Sequence, residues 1–236
     1  MTRQLILMRH GETFYNATRR MQGQMDTELS EVGVQQAQNA ADFLADIKIG
    51  RIVSSDLERA QETAKAVAQR VGVAVGVDKR LRETHLGQWQ GMSHEEVDAQ
   101  FPGARALWRH DASWAPPKGE SRLEVAQRAR AVIDEQMRDF SEWDDSTVVV
   151  VAHGGTIAAL TSSLLGFSPE QYPIFSGLKN TCWAQLTARP RYFQGSPDAD
   201  GEGDPIIPQA RFTAENVDDA QWYLDGWNMS APKRGM

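Results

Sequence analysis

The run STVVVVAHGGTIAALTSSLLG, residues 146–166, constrains the fold more than any other stretch of this chain. Consecutive valines mark a strand buried on both faces, and His153-Gly154-Gly155 ends them and opens at once into a helical run. A strand that turns directly into a helix is half of a crossover unit, and such units build parallel sheets covered by helices. The same alternation recurs earlier. QLILMR and RIVSS read as strands. Between them SEVGVQQAQNAADFLADI reads as a helix with Val34, Ala37, Ala41 and Leu44 on one face. DLERAQETAKAVAQRV reads as a second helix, with Ser55 and Glu58 spaced as a capping box, and VAVGV as a third strand. A long amphipathic helix, SRLEVAQRARAVIDEQMRDF, carries the same box at Ser121 and Glu124 and leads into the valine run. The expected fold is α/β, a three-layer α/β/α sandwich about a mostly parallel central sheet.

Two stretches depart from the alternation. Residues 84–120 are rich in Gly, Pro, Trp and His and predict only short helices, which reads as an insertion lying over the core. Residues 190–215 combine Pro, Gly and Asp without periodicity and predict a mobile surface loop, after which DAQWYLDGWN supplies a last strand. Residues 1–236 thus read as one domain with a cap-like insertion. Interspersed charges with a net of −7 argue against nucleic-acid or anionic-membrane partners. The apolar run Leu5–Met8 is too short for a signal-peptide core or a membrane span, so a cytoplasmic location is expected. The single cysteine, Cys182, lies in the strand-like NTCWAQL and reads as buried packing rather than as a nucleophile.

In sheets of this kind ligands sit outside the carboxyl ends of the strands, so reactive side chains should cluster just after them. Arg9, His10 and Gly11 end the first strand; Ser55 follows the second, with Arg59 in the helix beyond; His153 and Gly154 end the valine run. Taken singly, each has an ordinary explanation as a packed histidine, a solvated arginine or a loop glycine. Their convergence on one rim favours a phosphoryl centre. Arginine grips phosphate oxygens in bidentate fashion, and glycines at a helix start, Gly154 among them, let backbone N–H groups approach. A neutral imidazole can take the phosphoryl group as a nucleophile while a second imidazole stabilises its charge.

The segments LMRHGET, SSDLERAQETA, RLRETHLGQWQG and VVVVAHGG, in this order, resemble the signature segments of the histidine phosphatase superfamily, the phosphoglycerate mutase-like fold. The resemblance implies that His10 becomes phosphorylated and that Arg9, Arg59 and His153 complete the phosphate pocket. It also implies phosphate-side contacts from Asn16 and Gln22, a proton donor at Glu83, no metal or other cofactor, and a homodimer. Glu83 has a logic of its own: a departing alkoxide needs a proton and the attacking water must lose one, so the carboxyl should enter the first step protonated beneath the Trp-rich insertion. The alternative is an ion pair with Arg80 or Arg82.

Within the superfamily, mutases return the phosphoryl group to a sugar acid and phosphatases pass it to water. The mutase pattern has arginine directly after the glutamate; here Thr84-His85-Leu86 follows Glu83, and His94 stands where lysine is expected. Hydrolysis of a phosphorylated sugar or sugar acid, a small-molecule phosphomonoester, is therefore the expectation. A cofactor-dependent phosphoglycerate mutase and a non-catalytic phospho-ligand-binding module are the alternatives. Trp89, Trp108 and Trp114 suit stacking on a sugar ring or packing of the insertion, and His110-Asp111 suits substrate hydroxyls or the surface. His85, His94 and His110 lack the spacing of metal ligands.

Overall fold

The computed structural model describes residues 2–191 and 211–232. Six strands, β1 (Arg3–Arg9), β2 (Ile49–Ser54), β3 (Val75–Val77), β4 (Thr147–Ala152), β5 (Trp183–Pro190) and β6 (Ala220–Met229), form one sheet in the order β3-β2-β4-β1-β5-β6. The first four run parallel, and β5 and β6 close one side antiparallel. The helices are α1 (Phe14–Ala17), α2 (Glu31–Leu44), α3 (Glu58–Val71), α4 (His94–Gln100), α5 (Ala104–His110), α6 (Arg122–Asp139) and α7 (Gly154–Leu164).

The alternation of strand side chains makes the three layers. Ile6, Met8, Val149 and Val151 pack on one face with Ala40, Ala41 and Leu44 of α2 and Ala60, Ala64 and Val67 of α3. Leu5, Leu7, Val148 and Val150 pack on the other with Ala129, Val132 and Ile133 of α6 and Ile157 and Leu160 of α7. Every residue of β4 is buried, as a central strand of aliphatic side chains requires.

Two details differ from the sequence reading. Val34 is exposed, and α2 instead buries Gly33 and Ala40 beside Ala37, Ala41 and Leu44. Glycine is needed there because a Cβ on Gly33 would meet the Glu12 carbonyl oxygen at 2.0 Å. Ser55 and Glu58 form no capping box. Helix α3 begins after Leu57, and the backbone N–H of Glu58 is met by the Asp26 carboxylate at 2.8 Å, a cap from a distant loop. The box at Ser121 and Glu124 is formed as expected. Most of the 190–215 stretch lies outside the described residues.

Segment 84–120 holds the short turn Gly87–Trp89 with α4 and α5. Trp89 is its core, wholly buried and in contact with Trp108, Trp114 and Phe101. The segment is stitched to the loop after β1 by backbone bonds, Met21 N–H to Met92 O at 2.8 Å and Gly91 N–H to Met21 O at 2.7 Å.

Candidate active site

The strand order puts β4 between β1 and β2, so the residues that follow these three strands are neighbours: His10, His153 and Ser55. His10 N–H donates to Ala152 O at 3.0 Å and Ser55 N–H to Val151 O at 2.9 Å, continuing the sheet's bonding past the last strand residues. Both imidazoles are buried, with ring centroids 5.1 Å apart. Burial, reinforced by Arg59, lowers the proton affinity of each well below the ordinary histidine value, so both are neutral near pH 7.

The hydrogen bonds of His10 fix its tautomer. Nδ1 lies 2.6 Å from Gly11 O, a carbonyl that can only accept, so Nδ1 carries the proton and Nε2 the lone pair. Arg59 Nε stands 3.3 Å from that Nε2. Arg59 rises from the first turn of α3 and is 1% exposed. Its terminal nitrogens donate to Met25 O at 2.9 Å and Gly23 O at 2.8 Å, and burial draws its pKa down to about 10, still charged at neutral pH. Arg9 donates through Nη1 to Leu178 O at 2.6 Å, while its buried Nε has no hydrogen-bond partner among the described residues. His153 Nε2 shares a hydrogen bond with Ser55 Oγ, 2.9 Å away, and its Nδ1 likewise has no partner among the described residues.

Glu83 closes the site from the other side. Its Oε1 accepts N–H bonds from Thr84 at 2.8 Å and Thr156 at 3.1 Å, and its Oε2 accepts from Gly155 at 3.1 Å. The last two donors are the free N–H groups of the first turn of α7. Each of these described partners donates to the carboxyl. It does not pair with its neighbours: Arg80 binds Asp78 and Glu135, and Arg82 binds Asp56.

A cavity of about 190 Å³ opens between these groups. Arg9, His10, Asn16, Gln22, Arg59 and Glu83 line it, and Arg20, Leu86 and Trp108 form its outer wall. Of the residues singled out in the sequence, His153 stands beside His10 and is not itself a lining residue, and Gly155 lines the cavity where Gly154 does not. A Cβ on Gly155 would meet Glu83 Oε1 at 2.6 Å, so that position needs glycine, whereas one on Gly154 would come no closer than 3.6 Å to Arg9. The Gln22 amide is held by Thr13 and Thr27, and Asn16 Oδ1 accepts from Asn180 at 3.0 Å. His110 and Asp111 are exposed, and Asp111 bonds Ser113. Among the described residues no group of three His, Cys, Asp or Glu side chains is placed to hold a metal ion.

Sequence reasoning missed the frame that holds Glu83. Arg128 of α6 donates to Arg80 O at 2.6 Å, Arg82 O at 2.7 Å and Glu83 O at 3.0 Å, and pairs with Glu120 at 2.6 Å. Thr156 donates its hydroxyl to Arg82 O at 2.7 Å, and Asn180 bonds His10 O at 3.0 Å. Three backbone carbonyls converging on one guanidinium fix the path of residues 80–83, which in turn fixes the carboxyl at the start of α7.

Such a pocket, cationic at the carboxyl ends of parallel strands and walled by a neutral imidazole whose Nε2 lone pair faces the Arg59 guanidinium, defines a protein of phosphoryl-group chemistry. Residues 5–195 match the histidine phosphatase superfamily (branch 1). The chain is 48% identical over 233 residues to a glucosyl-3-phosphoglycerate phosphatase of Mycolicibacterium vanbaalenii, covering 97% of this chain and 96% of that one. It is 45% identical over 234 residues to the Mycobacterium tuberculosis protein of the same name, covering 97% and 96%. The native structure of mycobacterial glucosyl-3-phosphoglycerate phosphatase superposes with a TM-score of 0.84 at 44% identity, covering 98% of this chain and 100% of that one. The chain belongs to the histidine phosphatase superfamily.

Proposed function

We propose that this protein is a phosphomonoesterase that needs no metal and works through a phosphohistidine on His10, with glucosyl-3-phosphoglycerate as its substrate. The observation that carries the mechanism is the His10 tautomer: Nδ1–H committed to Gly11 O leaves the Nε2 lone pair as the nucleophile. The substrate assignment rests on the two mycobacterial relatives that match over nearly the full chain. In the first step Nε2 takes the phosphoryl group from the ester oxygen while Arg9 and Arg59 hold the charge on its other oxygens. The departing alkoxide takes a proton from Glu83, whose Oε2 has a single donor among the described residues and so has room to carry one. Water then attacks the phosphorus, Glu83 recovers the proton, and inorganic phosphate leaves with His10 restored. Asn16, Gln22 and Gly154 at the start of α7 complete the phosphate side, while the N–H groups of Gly155 and Thr156 hold Glu83.

Residues 84–120 act in this reading as a cap inserted in one catalytic domain, and Trp108 is the tryptophan that meets the leaving group. A cytoplasmic homodimer is part of the same reading; among the described residues no helix is long and apolar enough to cross a membrane.

The test is a metal-free panel of glucosyl-3-phosphoglycerate, mannosyl-3-phosphoglycerate, 3-phosphoglycerate and common sugar and nucleotide monoesters, with acid-labile phosphate trapped on the enzyme. Preferential hydrolysis of glucosyl-3-phosphoglycerate through a label on His10 is expected. Rapid isomerisation of 3-phosphoglycerate in the presence of bisphosphoglycerate would make it a mutase instead, and binding without turnover would make it a phospho-ligand module.

A further inference from the structure

The pair formed by His153 and Ser55 has a direction that the hydrogen bonds determine. Both residues are fully buried. The Ser55 hydroxyl oxygen already accepts the backbone N–H of Leu57, 3.3 Å away, and its only other described partner is His153 Nε2 at 2.9 Å. A buried hydroxyl proton without an acceptor is costly, and Nε2 is the acceptor within reach. The opposite arrangement, with the proton on Nε2, would strand the hydroxyl proton and leave a bare lone pair on Nδ1. A neutral imidazole carries one proton, so accepting at Nε2 places that proton on Nδ1.

We propose that Ser55 is a positioning residue that fixes His153 in the tautomer with its proton on Nδ1, so that a phosphoryl group arriving on His10 meets an N–H donor. The inference rests on the phosphohistidine reading of His10. His153 Nδ1 is buried without a partner among the described residues, and its ring stands beside that of His10, so a phosphoryl oxygen carried on His10 Nε2 is the acceptor this donor would meet. Ser55 touches no substrate. It follows β2 as His153 follows the adjacent β4, so the pairing of the two strands itself delivers the hydroxyl to the ring.

The test combines imidazole nitrogen NMR of the intact enzyme with kinetics of Ser55→Ala and Ser55→Thr. In the parent, His153 Nδ1 should appear protonated and Nε2 unprotonated. Ser55→Ala should mix the tautomers, lower kcat about tenfold or more with KM changed less than about twofold, and weaken orthovanadate inhibition by a similar factor. Ser55→Thr, which keeps the hydroxyl, should restore all three. A parent carrying its proton on Nε2, or a Ser55→Ala enzyme with unchanged tautomer and kcat, overturns the inference. The parent spectrum decides even where Ser55→Ala fails to fold. Absence of labelled phosphate on His10 would instead sink the phosphohistidine reading, whatever tautomer His153 shows.

Discussion

The cavity has two walls built on opposite principles. The inner wall, at the ends of β1, β2 and β4, consists of buried polar groups whose hydrogen bonds are almost all spoken for by backbone: His10 by Gly11, Arg59 by Gly23 and Met25, Glu83 by the start of α7. The outer wall, from segment 84–120, is an aromatic cluster around Trp89 carried on short helices. Where charge must be placed within a few tenths of an ångström, the fold uses rigid strand ends and backbone acceptors. Where a leaving group must be read, it uses a surface that can be rebuilt without disturbing the sheet. Changes to the inner wall should therefore abolish turnover for every phosphate ester, and changes to the outer wall should alter only which ester is preferred.

His10→Ala is the strongest test of that division. Loss of the nucleophile should lower kcat by roughly a thousandfold or more on all substrates and remove the acid-labile phosphoenzyme, with the circular dichroism spectrum unchanged. Glu83→Gln should follow. Turnover of the sugar ester should fall roughly a hundredfold to ten-thousandfold. With p-nitrophenyl phosphate, whose leaving group departs without a proton, the phosphoenzyme should still form and then accumulate, which rapid quench detects. Failure of the phosphoenzyme to form or accumulate with p-nitrophenyl phosphate would deny Glu83 this double role.

The inner wall should also govern stability against acid. Both imidazoles bind protons less readily in the folded chain than in the unfolded one, where the ordinary value is 6.5. As pH falls below about 6.5 the unfolded chain takes up protons that the native state refuses, so stability declines, each histidine contributing up to about 1.4 kcal/mol per pH unit. Above that pH their contribution is complete and constant. Urea unfolding of the parent and of a His10→Asn, His153→Asn double variant between pH 7 and 5 checks this; an equally steep acid slope in the double variant would locate the lability elsewhere.

How much of this was legible in the sequence follows the same division. Apart from Glu83, the inner wall could be read because each of its groups directly follows a strand or opens the next helix, and hydrophobic runs mark where those strands end. The register of β1, β2 and β4 then brings Arg9, His10, Ser55 and His153 together without further information. Arg128 could not be read: on the sequence it is one more polar position of an amphipathic helix, and only the packing of α6 beside residues 80–83 makes it a clamp. The Asp26 cap on α3 was hidden for the same reason, being supplied from 32 residues away. Val34 was misassigned because periodicity cannot tell which edge of an apolar stripe the neighbouring loop leaves uncovered. The tryptophans of the outer wall were visible as a set, but their separate duties were not.

Those duties give the next effect in size. One side of the Trp108 ring carries Arg122, 5.0 Å from the centroid, its edge meets Trp89, and the residue lines the cavity. Trp108→Leu should lower kcat/KM for glucosyl-3-phosphoglycerate about tenfold, while p-nitrophenyl phosphate, which needs little of the outer wall, changes less than about twofold. Uniform loss on both substrates would show that the outer wall supports the chemistry itself and would break the division.

The smallest effect concerns the seam between the walls. Arg20, on the loop that follows β1, pairs with Glu96 of α4 at 3.0 Å, and both side chains are more than a third exposed. An exposed pair of this kind contributes about 0–1 kcal/mol and is screened by salt. The same Glu96 carboxylate also accepts the Ser93 N–H in a capping box, a duty that glutamine can perform. The seam has stronger bonds nearby, since Met21 exchanges backbone hydrogen bonds with Gly91 and Met92, and Arg20 Nη1 reaches Gly91 O at 2.8 Å. Glu96→Gln removes the charge and leaves these contacts in place. Its unfolding free energy should stay within about 0.5 kcal/mol of the parent, with kcat/KM unchanged, and the difference should vanish in high salt. A loss of several kcal/mol that persists in salt would mean that the ion pair, rather than the backbone, holds the outer wall against the inner one.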